Sequence, residues 1–295
     1  ALSAPPTGAL FLYHPGSHLV LANSTHIGVS SPVWWPEGLN GPTNVSLLGS
    51  GGIEFLDPAN HTITGTLLLS AGVLDVGNGV LDVGPSGLVI GGSAASHVKG
   101  TLRKLVPTSV GPRSCTFEIG DGLVYAPVVV AFPSVSSGGT LGASTTAGDH
   151  PSIASSAIDA ARSTNRYWTL DAAGMTYGYA TATFAFAPGD IDAGADPTTF
   201  GAARYLSSST WASTNLQSAQ PTQLTLQGLA DLTGDYQLGH VLTCLPSLSL
   251  LRTDFPAGTA PYALDIADLD GNGTLDIATS NYSSSTVSVL SGSGS

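Results

Sequence analysis

A chain of 295 residues has room for two or three domains with real cores, and this one is built from 37 glycines, only 9% charged residues and a net charge of −12. Its Lys and Arg number 8, with none before Lys99 and none after Arg252, so it lacks a basic track for phosphates, which argues against nucleic-acid binding. No apolar run approaches the ~18 residues of a membrane span, and plentiful aliphatics among the Gly, Ser and Thr argue against disorder and for an all-β chain with many tight turns.

The chain opens Ala1-Leu-Ser-Ala-Pro-Pro6 with no initiator Met, as a mature secreted protein would after loss of its signal peptide, or as a shortened chain would. Residues 1–106 are expected to form a solenoid. Val45-Ser-Leu-Leu-Gly49, Ile53-Glu-Phe-Leu56, Ile63-Thr-Gly-Thr-Leu-Leu-Leu69, Val73-Leu-Asp-Val-Gly77, Val80-Leu-Asp-Val-Gly84 and Leu88-Val-Ile-Gly-Gly92 are a ladder of short β runs with glycine corners. Strands this short cannot each bury a face in a sandwich, but stacked coils of a parallel β-helix cover one another. Four or five coils are expected, each adding ~4.8 Å of height; the competing arrangement is an antiparallel meander. Within this region Trp34-Trp35 sits in a Pro/Gly loop, where the two rings would either stack on a sugar or cap the solenoid.

Residues 107–257 change character. Cys115-Thr-Phe-Glu-Ile119, Tyr125-Ala-Pro-Val-Val-Val-Ala-Phe132, Tyr167-Trp-Thr-Leu170, Tyr179-Ala-Thr-Ala-Thr-Phe-Ala-Phe186 and Gln223-Leu-Thr-Leu226 are longer runs separated by turn clusters, the spacing of a two-sheet antiparallel sandwich. The two cysteines, Cys115 and Cys244, would close one long disulfide loop in an oxidising compartment, or remain buried thiols in a reducing one.

The order Phe117-Glu-Ile-Gly-Asp121, Tyr125-Ala-Pro-Val128, Gly148-Asp-His-Pro151, Ala161-Arg-Ser-Thr-Asn-Arg-Tyr-Trp-Thr-Leu170, Ala182-Thr-Phe-Ala-Phe186 and Gly189-Asp-Ile191 is similar to a module of large secreted bacterial surface proteins. There it follows a β-helix-like segment ending in a strand like His97-Val-Lys-Gly-Thr-Leu-Arg103. The resemblance spans roughly residues 45–257. It implies secretion and a structural or adhesive role, and it carries no catalytic residue.

Residues 258–295 form a third piece. Tyr262-Ala-Leu-Asp-Ile-Ala267, an acidic loop, Leu275-Asp-Ile-Ala-Thr-Ser280 and Thr286-Val-Ser-Val-Leu290 together resemble one FG-GAP/VCBS repeat of the integrin-α type. Such repeats usually occur in numbers, and here there is one. In the loop, Asp268, Asp270 and Asn272 alternate as oxygen ligands, Thr274 offers its backbone carbonyl and Asp276 closes the set, a pattern that wraps Ca²⁺. Gly273 makes the sharp turn. It is not an EF-hand, because Thr279 stands where the closing Glu would be and strands flank it. The competing reading is an Asn-Gly hairpin with solvated acids. At the ~10⁻⁴–10⁻³ M affinity of extracellular sites, millimolar Ca²⁺ would contribute only ~0.5–1.5 kcal/mol, enough to neutralise crowded carboxylates and fix the hairpin.

Three further clusters are candidates. Asp190, Asp192 and Asp196 form a looser acidic loop, either a second cation site or a polar sandwich turn. Asp75 and Asp82 lie seven residues apart on the solenoid, where β-helix polysaccharide enzymes place acids, but without Lys or Arg before Lys99 the basic partners of such chemistry are missing; the plainer expectation is acids facing water. Asp149-His150 is adjacent in sequence only, and neither Gly-x-Ser-x-Gly nor His-Glu-x-x-His occurs. The expectation is a non-enzymatic secreted protein of a bacterial surface or matrix, Ca²⁺-assisted and joining copies of itself head to tail. The alternative is a carbohydrate-binding module or β-helix carbohydrate-active enzyme, with polysaccharide as partner.

Overall fold

The computed structural model describes residues 13–29, 35, 41–56, 58–242 and 255–292. Every regular element among them is a strand or a short 3₁₀ turn, and no helix there is long and apolar enough to cross a membrane. The chain divides into two compact units, Ala1–Thr243 and Cys244–Ser295.

The first unit begins as a parallel solenoid of about four coils. Its strands are β1 (His18–Leu21), β2 (Ile27–Val29), β3 (Asn44–Leu47), β4 (Ile53–Phe55), β5 (His61–Ile63), β6 (Thr66–Leu69), β7 (Leu74–Val83), β8 (Leu88–Gly91) and β9 (Val98–Val106). One wall is the parallel sheet β1-β3-β6-β8. Its register stacks Leu19, Val45, Leu67 and Val89 in one inward column and Leu21, Leu47 and Leu69 in the next. The coil repeat is 22 residues, from Val45 to Leu67 and from Leu67 to Val89. Alternation puts these aliphatics inside and His18, Asn44, Thr66 and Leu88 outside, so each coil is covered by its neighbours.

The repeated Val-Leu-Asp-Val-Gly unit is not two coils. Both copies lie in β7, a ten-residue strand whose register against β9 shifts between Asp75 and Val80, at Gly77 with φ 57°. The first half pairs with β4 and the second with β5. Glycine at the corners serves close approach as well as conformation. Gly72 has φ 82°, and a Cβ there would lie 2.2 Å from the Gly49 carbonyl of the coil below. Gly72→Ala is expected to cost about 1–3 kcal/mol from positive φ and this contact together, whereas Gly111→Ala, with open space around it, should be near neutral in the same urea titration.

The sandwich follows, with β10 (Arg113–Phe117), β11 (Ile119–Gly120), β12 (Val128–Phe132), β13 (Gly139–Ala147), β14 (Ile158–Ala173), β15 (Ala180–Ala185), β16 (Phe200–Tyr205), β17 (Trp211–Ser213), β18 (Asn215–Gln220), β19 (Gln223–Leu229) and β20 (Gly234–Val241). One sheet is antiparallel, β10-β12-β15-β19-β18. The other is not separate from the solenoid: β9 pairs parallel with β7 on one side and antiparallel with β13 on the other. A single 11-stranded sheet therefore runs from the second solenoid wall into the sandwich. Between the sandwich sheets, Trp168 of β14 packs on Phe184 of β15 at 5.4 Å, and Phe184 on Tyr236 of β20 at 5.1 Å. Their polar atoms are satisfied in the core: Trp168 Nε1 donates to Ala126 O at 3.0 Å and Tyr236 OH to Leu232 O at 2.9 Å.

The second unit is one antiparallel sheet, β21 (Pro261–Ala267), β22 (Asp276–Asn281) and β23 (Thr286–Leu290), in that order. Register puts Leu264, Ile266, Ile277 and Leu290 on one face and Ala263, Ala278, Val287 and Val289 on the other. Both faces are open: Leu264 is 62% exposed and Val287 66%.

Candidate metal centre

The β21–β22 connection folds the predicted acidic loop into a cradle. Asp268, Asp270 and Asp276 bring carboxylate oxygens within 4.8 Å of one another. Gly271 and Gly273 take φ 75° and 85°, which turns successive backbone N–H groups inward. Asp268 accepts from the N–H groups of Gly271 (2.8 Å), Asn272 (3.1 Å) and Gly273 (2.9 Å). Asn272 Oδ1 accepts from Thr274 N–H at 2.8 Å, and the Thr274 hydroxyl has both Asn272 Oδ1 and Gly292 O, the latter at 2.7 Å, within reach of its single proton. Asp276, buried, ties the loop to the segment after β23: it accepts from Leu269 N–H and Gly292 N–H, each at 2.8 Å. The Gly292 and Leu269 donors hold its carboxyl below the ordinary value, so it stays ionised.

The donor set suits a hard cation. Three carboxylates and an amide crowd one loop, and no Lys or Arg occurs after Arg252 to neutralise them. Asp268, Asp270, Asn272, the Thr274 carbonyl and Asp276 would hold Ca²⁺, whose chemistry here is charge neutralisation and loop closure rather than activation of a reactant.

The other predicted clusters resolve into structural pairs. Asp75 and Asp82 lie opposite Lys99 and Arg103 in the β7–β9 register. Lys99 Nζ donates to Asp75 at 2.6 Å, and Arg103 forks onto Asp82 at 2.5 and 2.7 Å. These acids do not stand alone in water: each is paired with a cation one strand over, with Asp82 still 25% exposed. Asp190, Asp192 and Asp196 do not converge on a cation. Asp190 pairs with Arg166, Asp192 accepts from Ser163 N–H at 2.8 Å and Asn165 Nδ2 at 2.8 Å, and Asp196 caps a 3₁₀ turn through Thr198 N–H.

Asp149 and His150 have separate partners. Asp149 accepts from the Ser163 hydroxyl at 3.0 Å. His150 Nδ1 accepts from Ser152 N–H at 3.1 Å while Nε2 lies 3.2 Å from Asp235, so both ring nitrogens are engaged. Trp35 cannot stack on a sugar: it is 2% exposed, edge-on to Phe55 at 5.2 Å inside the solenoid. Trp34 lies outside the described residues, as does Cys244 and with it the proposed disulfide; Cys115 is half-buried, which pushes its thiol up.

One site was not anticipated. Arg166, 1% exposed, stands on β14 among core residues and donates to Asp190 through Nε and Nη2 (3.1 Å each), to Asp121 through Nη2 (2.7 Å) and to Thr145 Oγ1 through Nη1 (3.1 Å). Burial works against its charge, but Asp190 and Asp121 outweigh that and hold it firmly protonated. Asp121 is itself pushed up by burial; the Val124 N–H, Arg166 and the Leu123 N–H overcome this and hold it below its ordinary value. The signal was present in the alternation: Arg166 shares the parity of Trp168 and Leu170, a core position that demands buried partners. Asp121, Arg166 and Asp190 fall within three of the stretches that carry the resemblance to surface-protein modules, so those stretches meet at one buried ion cluster.

The fold defines an all-β chain in which a parallel solenoid and an antiparallel sandwich share one sheet, with a separate loop-bearing sheet in the second unit. No family profile, curated protein or solved structure matches it.

Proposed function

We propose that this chain is a secreted structural or adhesive protein of a bacterial surface or extracellular matrix, in which a Ca²⁺-stabilised terminal sheet joins copies head to tail. The observation that carries this reading is the second unit's sheet, apolar and open on both faces: Leu264 and Ile266 on one side, Val287 and Val289 on the other. A three-stranded sheet of this size is marginal by itself and gains stability only by packing its faces. Its acidic loop, with no Lys or Arg in the sequence from residue 253 onward, would give Ca²⁺ control over that sheet.

The solenoid supplies the complementary end. Among the described residues, β1 has a neighbour on one side only, and a parallel edge of this kind accepts another strand. The opposite end is not equivalent, because β9 continues into the sandwich sheet. Two unlike ends produce heterologous contacts, which propagate into filaments. Negative-stain electron micrographs of the chain in 2 mM calcium chloride are expected to show filaments that disperse with excess chelator. Isolated particles in both conditions would remove the proposal.

A further inference from the structure

A second binding site lies in the first unit, between two strand edges that nothing in the fold pairs. β8 ends the sheet β1-β3-β6-β8, and β10 ends the sheet β10-β12-β15-β19-β18. A cleft of about 360 Å³ separates them, with Leu88 and Val89 on one wall, Arg113, Ser114 and Thr116 on the other and Leu105 among its lining.

Each wall is a strand edge whose outward backbone groups are not paired within its own sheet. Leu88 N–H donates to Gly65 O at 3.0 Å, so Leu88 and Ile90 face β6, and the N–H and C=O of Val89 face away from it. Ala185 N–H donates to Pro127 O at 3.0 Å, which turns the odd-numbered residues of β12 toward β15. The even-numbered ones, Val128, Val130 and Phe132, then bond to Phe117, Cys115 and Arg113. Ser114 and Thr116 are left with N–H and C=O directed outward. Only the Thr116 carbonyl has a partner, Lys104 Nζ at 2.5 Å.

The cleft also holds a cation to spare. Six of the seven Lys and Arg among the described residues pair with carboxylates: Lys99, Arg103, Lys104, Arg162, Arg166 and Arg204. Arg113 is the exception, and its Nε is buried without a hydrogen-bond partner. In so acidic a chain, an Arg left without an acid and with a buried donor is costly unless something binds it.

We propose that this cleft takes an extended peptide strand carrying a carboxylate, inserted between β8 and β10 and bonded along both edges, with its acid on Arg113. The outward N–H and C=O groups of Val89 and Ser114 and the Thr116 N–H are of the kind an extended backbone satisfies. A guanidinium fork selects a carboxylate over a neutral amide. The site involves neither the terminal sheet nor Ca²⁺, so it stands or falls apart from the filament.

The test uses blocked eight-residue peptides of alternating valine and threonine, with one aspartate placed at each position in turn and asparagine counterparts, titrated against the whole chain by fluorescence anisotropy. At one preferred position the aspartate peptide is expected to bind about tenfold or more tighter than its asparagine counterpart. Hydrogen exchange should then slow at Val89, Ser114 and Thr116. Arg113→Gln should abolish the aspartate preference, and Ser114→Pro should block binding. No binding at millimolar peptide, equal binding of aspartate and asparagine peptides, or unchanged exchange on both edges would each overturn the proposal. The comparison of peptides on the unaltered chain decides the matter even if a variant fails to fold.

Discussion

Replacing Arg166 with Met is expected to lower the stability of the first unit by about 3–5 kcal/mol, the cost of leaving buried charges without their partner. Asp190, 6% exposed, and Asp121 would then face each other across a space the guanidinium had filled, with Thr145 Oγ1 also stripped of its donor. The pH dependence identifies the cause. Asp121 is held below its ordinary value of 3.8 in the folded chain. The stability it lends is therefore complete above that value and is lost as pH falls through the lowered one. In the Met variant the two carboxyls no longer have a cation, so protonation relieves them. The deficit relative to the unaltered chain should be widest at neutral pH and should narrow toward pH 4. Urea titrations at pH 7 and pH 4.5 measure this; a deficit independent of pH would mean that Arg166 acts through packing alone.

The second large effect concerns the acidic loop. Isothermal titration with Ca²⁺ is expected to show one site with a dissociation constant of about 10⁻⁴–10⁻³ M. Asp270→Asn is the cleanest variant, because Asp270 bonds only within the loop, to Asn272. It should weaken Ca²⁺ at least about tenfold while leaving the sheet intact, since one full ligand charge is lost. Asp268→Asn should abolish binding and also loosen the loop, because its carboxylate takes three backbone N–H groups. Mg²⁺ should substitute poorly, given its demand for a tight octahedron. A titration without heat in the unaltered chain would leave the loop as a hairpin with solvated acids.

Much of this molecule could be read from its residues, and what escaped did so for physical reasons. The solenoid was legible because runs such as Val45–Leu47 and Thr66–Leu69, short and set between glycine corners, favour stacked coils over a meander. The two Val-Leu-Asp-Val-Gly copies, expected as separate short runs, fall in one ten-residue strand and place Asp75 and Asp82 opposite the Lys99 and Arg103 of β9. That pairing is between strands more than 20 residues apart, and local pattern carries no register. The expected division after residue 106 coincides with the end of β9, but periodicity cannot reveal that one strand serves two architectures through its two edges. The sandwich strands were visible in the alternation of Tyr179–Phe186; the Arg166 cluster was not anticipated, because the only local signal is a charge at core parity and its partners Asp121 and Asp190 lie in distant turns. Trp35 looked available because it neighbours Pro36 in a glycine-rich stretch; its burial against Phe55 and His61 depends on the coil closing around it. The clustering of Asp268, Asp270 and Asp276 was legible because the three carboxylates lie within nine residues on one loop.

In the proposed assembly the second unit's sheet joins copies through its open faces under Ca²⁺ control. Sedimentation velocity of the whole chain in 2 mM calcium chloride, with Leu264→Asp and Val287→Asp beside it, tests this most directly. The unaltered chain should sediment as a series of oligomers that collapses to monomer on chelation, and at least one of the two variants should remain monomeric with the first unit folded. A monomer in every condition, or oligomers indifferent to Ca²⁺ and to both substitutions, would contradict it.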